Sequence, residues 1–192
     1  MTKKRKMPFT QEYLKECFDY NPHKGELVWR ERPRHHFATE AAWKCFLTKY
    51  PRQVAGHEKY YTDFKTYNEI CFYGSVNWFA HRLIWKLVTG DDPGSDFDID
   101  HINGDTLDNR WVNLRLTKHN MRNKRKLKNN TSGYVGVSYR EDSGRYRARL
   151  AIDNPDGTTR RITIGNYDTA EAANEALVEY RANHNYTERH GT

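Results

Sequence analysis

Asp100-His101-Ile102-Asn103-Gly104-Asp105, then Asn109, then Asn113-Leu114-Arg115, then Asn120-Met121-Arg122-Asn123 is the stretch on which the reading of this 192-residue chain turns. Its residue types suit the cutting of a phosphodiester, which needs an activated water, neutralised charge and help for the leaving oxygen. A hard cation supplies the last two through oxygen ligands. Asp100 offers a carboxylate and Asn120 an amide oxygen. A neutral histidine, with an ordinary pKa near ~6.5, is suited to take a proton from water, and His101 is next to Asp100. Neighbours in an extended segment point to opposite sides, so ligand and base need not collide. Asn103 and Asp105 read as shapers of the turn around Gly104.

Charge sorts itself around the same stretch. Asp91, Asp92, Asp96, Asp98, Asp100, Asp105 and Asp108 lie in a run without Lys or Arg. Arg110, Arg115, Lys118, Arg122, Lys124, Arg125, Lys126 and Lys128 follow in a run without an acid. Acids that collect a cation, followed by bases that grip phosphates, fit a metal nuclease; chance clustering on solvated loops is the bland alternative.

Upstream, Thr10 caps an expected helix over 10–18 with Tyr13, Leu14, Cys17 and Phe18 on one face. Asn21 to Gly25 is a turn, and Glu26–Trp29 a short strand. Residues 31–66 read as irregular, with a possible helix near 39–49. Tyr67–Tyr73 and Val76–Phe79 read as a hairpin. A helix is expected from Ala80 to Val88, closed by Gly90 and blocked at Pro93. Asp96–Asn113 reads as a loop, and a helix should run from Thr117 to Leu127.

Beyond the polar linker Asn129–Gly133, strands are expected at Val135–Arg140, Tyr146–Ile152 and Thr159–Ile164, separated by turns at 142–144 and 154–157. A helix over 169–183 follows, with Asp168 as N-cap and Ala173, Ala176, Leu177 and Tyr180 as its apolar stripe. Arg145, Arg147 and Arg149 alternate along one strand and so share a face, which Arg140, Arg160 and Arg161 can join. Arginines on such a face read guanine edges or grip phosphates; a merely solvated face is the alternative.

The bulk composition excludes several classes. Hydrophobic residues make up 36%, so one large core is not expected, while the 14% of aromatics can build small ones. The net charge of +7 favours a polyanionic partner. Cys17, Cys45 and Cys71 are odd in number and form no Cys-x-x-Cys pair, which argues against a zinc ribbon and against any disulfide partner. No apolar run approaches the ~20 residues of a membrane span, and the basic N-terminus leads into no hydrophobic stretch of a secretory signal.

On the Asp100-to-Asn123 residues, with His81-Arg82-Leu83-Ile84-Trp85 upstream, the chain resembles the HNH endonucleases of the phage and intron homing type. The resemblance runs from Tyr67 to Lys126 and implies an α+β fold with a ββα-metal (His-Me finger) core. It implies that Asp100 and Asn120 hold one Mg²⁺ or Mn²⁺, that His101 is the general base, and that Asn113 orients it. The interval from Asn113 to Asn120 is about two residues shorter than in homing members, which leaves Asn120 and Asn123 both open as the second ligand. Residues 130–183 resemble an APETALA2-type DNA-binding domain, a three-stranded antiparallel sheet packed on one helix, with Tyr146 where that family has Trp.

Together these resemblances imply three regions: 1–66 supporting the nuclease, 67–128 the nuclease core with its basic helix, and 129–192 the DNA-binding module. The partner implied is double-stranded DNA. Its expected contacts are His81, Arg82, Arg115, Arg122, Lys124, Arg125, Lys126, Arg140, Arg145, Arg147, Arg149 and Arg161. His81 could equally pack or cap its helix. The expected setting is the host-cell cytoplasm of a bacteriophage, with the chain acting as a monomer. A DNA-binding regulator with an inactive HNH fold is the competing reading.

Overall fold

In the computed structural model, which describes residues 6–62, 65–72, 76–93, 97–118, 130–153, 158–184 and 186, the fold mixes α and β elements. The chain divides into two units, Met1–Ser95 with Asp105–Arg115, and Asp96–Gly104 with Leu116–Thr192.

In the first unit, helix α1 (Gln11–Cys17) is opened by Thr10, whose hydroxyl accepts the Tyr13 N–H at 3.2 Å. Strands β1 (Phe18–Asn21) and β2 (Glu26–Trp29) form an antiparallel hairpin. Its turn is tied by Asn21, which accepts the N–H groups of His23, Lys24 and Gly25. A 3₁₀ turn (Arg34–His36) leads to helix α2 (Glu40–Lys49), capped by Thr39. Strands β3 (His57–Thr62), β4 (Lys65–Phe72) and β5 (Val76–Phe79) make an antiparallel sheet in that order, and helix α3 (Ala80–Thr89) follows. Gly90, left-handed at φ 85°, closes α3 as its sequence implies.

The core of this unit is aromatic. Phe72 has the rings of Phe9 and Phe18 at 5.2 Å, and Trp29 packs on Phe18 at 4.4 Å. Leu14, Leu83 and Ile84 are fully buried beside them. Few residues fill this core because each ring buries a large apolar area.

Strand β6 (Phe97–His101) of the second unit is hydrogen-bonded to strand β7 (Leu114–Lys118), whose residues from Leu116 on belong to the same unit. Strands β8 (Val137–Arg140), β9 (Arg145–Asp153) and β10 (Thr159–Tyr167) form an antiparallel sheet with β9 central. Helix α4 (Ala170–Ala182) packs on it through Ala170, Ala173 and Leu177, which meet Val137, Ala148 and Leu150. Leu177 has no exposed surface, and cutting it to Ala would cost about 2–5 kcal/mol. This is the three-stranded sheet on one helix that the turn signals and alternation imply.

Four expectations are corrected. Residues 31–66 hold the helix expected near 39–49, which is α2, but the rest is not irregular throughout, since it includes β3, which pairs with β4. The segment read as a loop from Asp96 contains β6, so Asp100 and His101 end a strand. Thr117 and Lys118, expected to start a helix, belong to β7, where pairing with β6 overrides helical pattern; the rest of that expected helix lies outside the described residues. The cap of α4 is Thr169, which accepts the Ala172 N–H at 3.1 Å, while Asp168 accepts a bond from Arg145. No helix among the described residues is long and apolar enough to cross a membrane.

Candidate functional site

Alternation along β6 separates the two principal residues as the extended backbone requires. His101 is 4% exposed, while Asp100 beside it is half-buried. The chain turns immediately afterwards. The Gly104 N–H donates to the His101 carbonyl at 2.9 Å, and Gly104 sits at φ 77°, where a side chain would be strained. Asp105 accepts the Leu107 N–H at 3.0 Å and shapes the turn, the part its sequence context gave it.

In the first unit, residues 105–113 form a dense polar loop. Asn113 ends a 3₁₀ turn (Trp111–Asn113) and is 5% exposed, its Nδ2 donating to the Asp108 carbonyl at 2.7 Å. The Asp108 carboxylate grips Arg110 through two bonds of 2.8 and 2.6 Å. Asn109 is 2% exposed, and its carbonyl accepts the Tyr20 hydroxyl at 2.8 Å. Burial pushes that phenol up to about 12, so it remains a donor. The Thr106 hydroxyl donates to the Thr66 carbonyl, and Trp111 stacks obliquely on Trp85 at 5.2 Å. Gly25, at φ 74°, lies so close that an added Cβ would stand 2.5 Å from the Arg110 nitrogen. Asn109 therefore has a structural part in this loop.

His81 and Arg82 both lie on α3. His81 is 8% exposed and packs against the rings of Tyr67 and Phe79 at 5.5 Å each, which matches the packing alternative. Arg82 makes an ion pair with Asp92 at 2.7 Å, both side chains mostly covered. Sequence reasoning missed a polar cluster nearby. Glu69, 3% exposed on β4, accepts from the Tyr61 hydroxyl and from Asn77 Nδ2, and pairs with Lys59 at 3.2 Å. Burial pushes the Glu69 carboxyl up, but these three partners outweigh it and hold the group below the usual carboxylate range. Glu69 carried no signal of its own in the sequence beyond a single acid within an apolar strand.

The sheet of the second unit has one arginine face. Arg145, Arg147 and Arg149 alternate on β9 with Tyr146, Ala148 and Leu150, which face the helix. Register places Arg140 opposite Arg145, Thr163 opposite Arg149 and Asn166 opposite Arg147. Arg161 pairs with Ala151 and joins this face; Arg160 pairs with Ile152 and belongs to the other, so only one of the two candidates is brought to the arginine row. Arg140 bonds Asp142 at 2.9 Å, Arg145 bonds Asp168 at 2.9 Å and Arg147 bonds Asn166 at 3.3 Å. The outer side of α4 exposes Glu171, Glu175 and Glu179, so charge is segregated across the module.

Arg115 is half-buried on β7. Asn120, its rival Asn123, and Arg122, Lys124, Arg125 and Lys126 lie outside the described residues.

Residues 79–124 match the model of the HNH endonuclease family, about a quarter of the chain. The match takes in His81, Asp100, His101, Asn113 and Asn120. The chain is also 33% identical over 75 residues to Protein 3.8 of Escherichia phage T7, a stretch covering 38% of this chain and 61% of that relative. No solved structure matches. The segment from the end of β5 through the Asp100-His101 strand and the Asn113 turn thus matches the HNH endonuclease family, in a chain similar over part of its length to a bacteriophage protein.

Proposed function

We propose that the protein is a metal-dependent DNA endonuclease of the homing type, carried by a phage, in which the HNH segment cuts and the C-terminal sheet holds the target. The observation that carries this reading is the Asp100-His101 pair at the end of β6, with ligand and base on opposite sides of one strand, within the residues that match a nuclease family.

His101 is the general base, taking a proton from the attacking water through a ring nitrogen. Its near-complete burial restricts the ring to few orientations, which favours proton transfer in a fixed direction. Asn113, rigid through its bond to the Asp108 carbonyl, has the part of orienting that base. Asp100 and Asn120 contribute one carboxylate and one amide oxygen, a hard donor set that fits Mg²⁺ or Mn²⁺ better than a thiophilic ion. When bound, such an ion supplies charge neutralisation at the phosphate and stabilises the leaving oxygen.

Double-stranded DNA is the substrate. The arginine face of β8, β9 and β10 supports an APETALA2-like role in which Arg140, Arg145, Arg147, Arg149 and Arg161 meet the duplex. Arg115 and the basic run Arg122–Lys126 grip phosphates of the same duplex.

The test is cleavage of supercoiled plasmid and of host genomic DNA with Mg²⁺ or Mn²⁺, wild type beside His101→Ala, with EDTA as control. Metal-dependent nicks or breaks that vanish in the variant establish the nuclease. DNA binding without cutting of any substrate points instead to a regulator with an inactive HNH fold.

A further inference from the structure

The first unit contains a second group of metal-ligating side chains that the nuclease chemistry does not use. Glu16 stands at the end of α1, and His35 and His36 form the 3₁₀ turn that Pro33 opens. Their ligating atoms all lie within 4.8 Å of one another. The Glu16 carboxylate oxygen is 2.7 Å from His36 Nε2 and 3.5 Å from His35 Nε2.

We propose that Glu16, His35 and His36 form a binding site for one borderline divalent ion of the zinc type, separate from the hard-oxygen site of the HNH segment. Zn–N and Zn–O bonds of about 2.0–2.2 Å in a tetrahedron put neighbouring ligand atoms ~3.3 Å apart. The Glu16–His35 separation is already near this value. The Glu16–His36 separation must open by about 0.6 Å, which the Glu16 side chain, 45% exposed, can supply. The two imidazoles meet edge to face, 83° apart with centroids at 4.6 Å, and the exposed His35 ring must turn to bring its nitrogen from within 4.8 Å to ligand spacing. Two imidazoles and one carboxylate, with the fourth position left to water, is an established open zinc set.

His36 is built into the fold. Its side chain is 1% exposed, its ring stacks on Tyr13 at 4.1 Å, and Cys17 Sγ lies 3.7 Å from Nδ1. Arg32 Nε approaches Nδ1 at 3.4 Å, so the metal-free ring accepts there and gives its Nε2 proton to Glu16. Binding moves that proton from Nε2 to Nδ1, which then donates to Cys17 Sγ; the bond from Arg32 Nε to the ring is given up, and Arg32 keeps its 2.8 Å bond to the Tyr13 hydroxyl. No net proton is released and no redox change occurs. The ion would tie the turn after β2 to the end of α1.

The site is tested independently of the nuclease by measuring zinc retained per chain after dialysis in excess Mg²⁺, which saturates oxygen-only sites but does not displace nitrogen-ligated zinc. Wild type should retain one zinc, and His35→Ala and Glu16→Gln should each bind it at least ~100-fold more weakly, a lost ligand exceeding the loss seen for outer partners. His35 is 71% exposed, so its replacement leaves the fold intact, checked by melting without metal. Zinc should raise the melting temperature of wild type and not of His35→Ala. Equal retention by wild type and both variants, or none by wild type, overturns the proposal whether or not the protein cuts DNA.

Discussion

Arg82 Nη2 lies 2.7 Å from Asp92 Oδ1, and the other oxygen of that carboxylate accepts the Met7 N–H at 2.8 Å. The guanidinium expected to reach for a phosphate is committed to joining α3 to the chain beyond Gly90 and to the N-terminal segment. Removing one partner strands a mostly covered charge, so Asp92→Ala should lower stability by roughly 3 kcal/mol. Denaturant unfolding checks this. Arg82→Ala should lower the melting temperature and leave the salt dependence of DNA affinity unchanged; a flatter salt slope would return Arg82 to the DNA interface.

His101→Ala should reduce the rate of DNA cleavage by roughly a hundred- to ten-thousand-fold, the usual range for loss of a general base. DNA affinity and circular dichroism should match wild type. Retained cleavage at full rate would remove His101 from the mechanism.

Arg149→Ala should weaken DNA binding about equally across sequences, and lower the slope of log affinity against log salt by about 1 if it grips phosphate. A loss confined to one base position, about 1–3 kcal/mol, would make it a base reader. Arg160→Ala is the matched control, with the same charge change on the opposite face of the sheet. Equal losses from the two variants would refute the arginine face.

His36 sets a pH dependence of stability. Burial lowers its folded pKa below the ordinary 6.5. The unfolded chain therefore binds the proton first as pH falls. The stability from neutral His36 is fully present above about pH 6.5 and is lost as pH falls from there through the folded pKa. Urea midpoints measured without metal between pH 8 and pH 5 should fall over the acidic half of that range, and the fall should be shallower in His36→Asn. An identical slope in the variant would assign the transition to another group.

Gly25→Ala should destabilise by at least about 1–3 kcal/mol, because it adds backbone strain at φ 74° and drives a Cβ against the Asn109–Arg110 backbone. Thermal melting measures it. A neutral effect would mean that the hairpin can withdraw from the loop at no cost.

How much of this was legible depended on the physics at each element. Helix α3 declared itself through its apolar spacing, Gly90 and Pro93, and the C-terminal sheet through turn residues and alternation that a buried face enforces. Strand β3 did not, because His57 to Tyr61 are all exposed and carry no apolar alternation; only its pairing with β4 makes it a strand. Strand β6 was masked by Asp98 and Asp100, acids that local propensity assigns to loops. Asp100 and His101 stood out by type and order. The pairing of Arg82 with Asp92, and the separation of Arg160 from Arg161, depend on helix packing and strand register, which no local pattern encodes.

Gly25 and Tyr20 hold the Asn109–Arg110 backbone from the other side of the chain, more than eighty residues away. A cassette cut to the family-matched residues would lack the hairpin that supports its own polar loop. Anyone transplanting this cutting segment into a fusion should carry the β1–β2 hairpin with it, since the smallest transferable piece is defined by that clasp rather than by the borders of the sequence match.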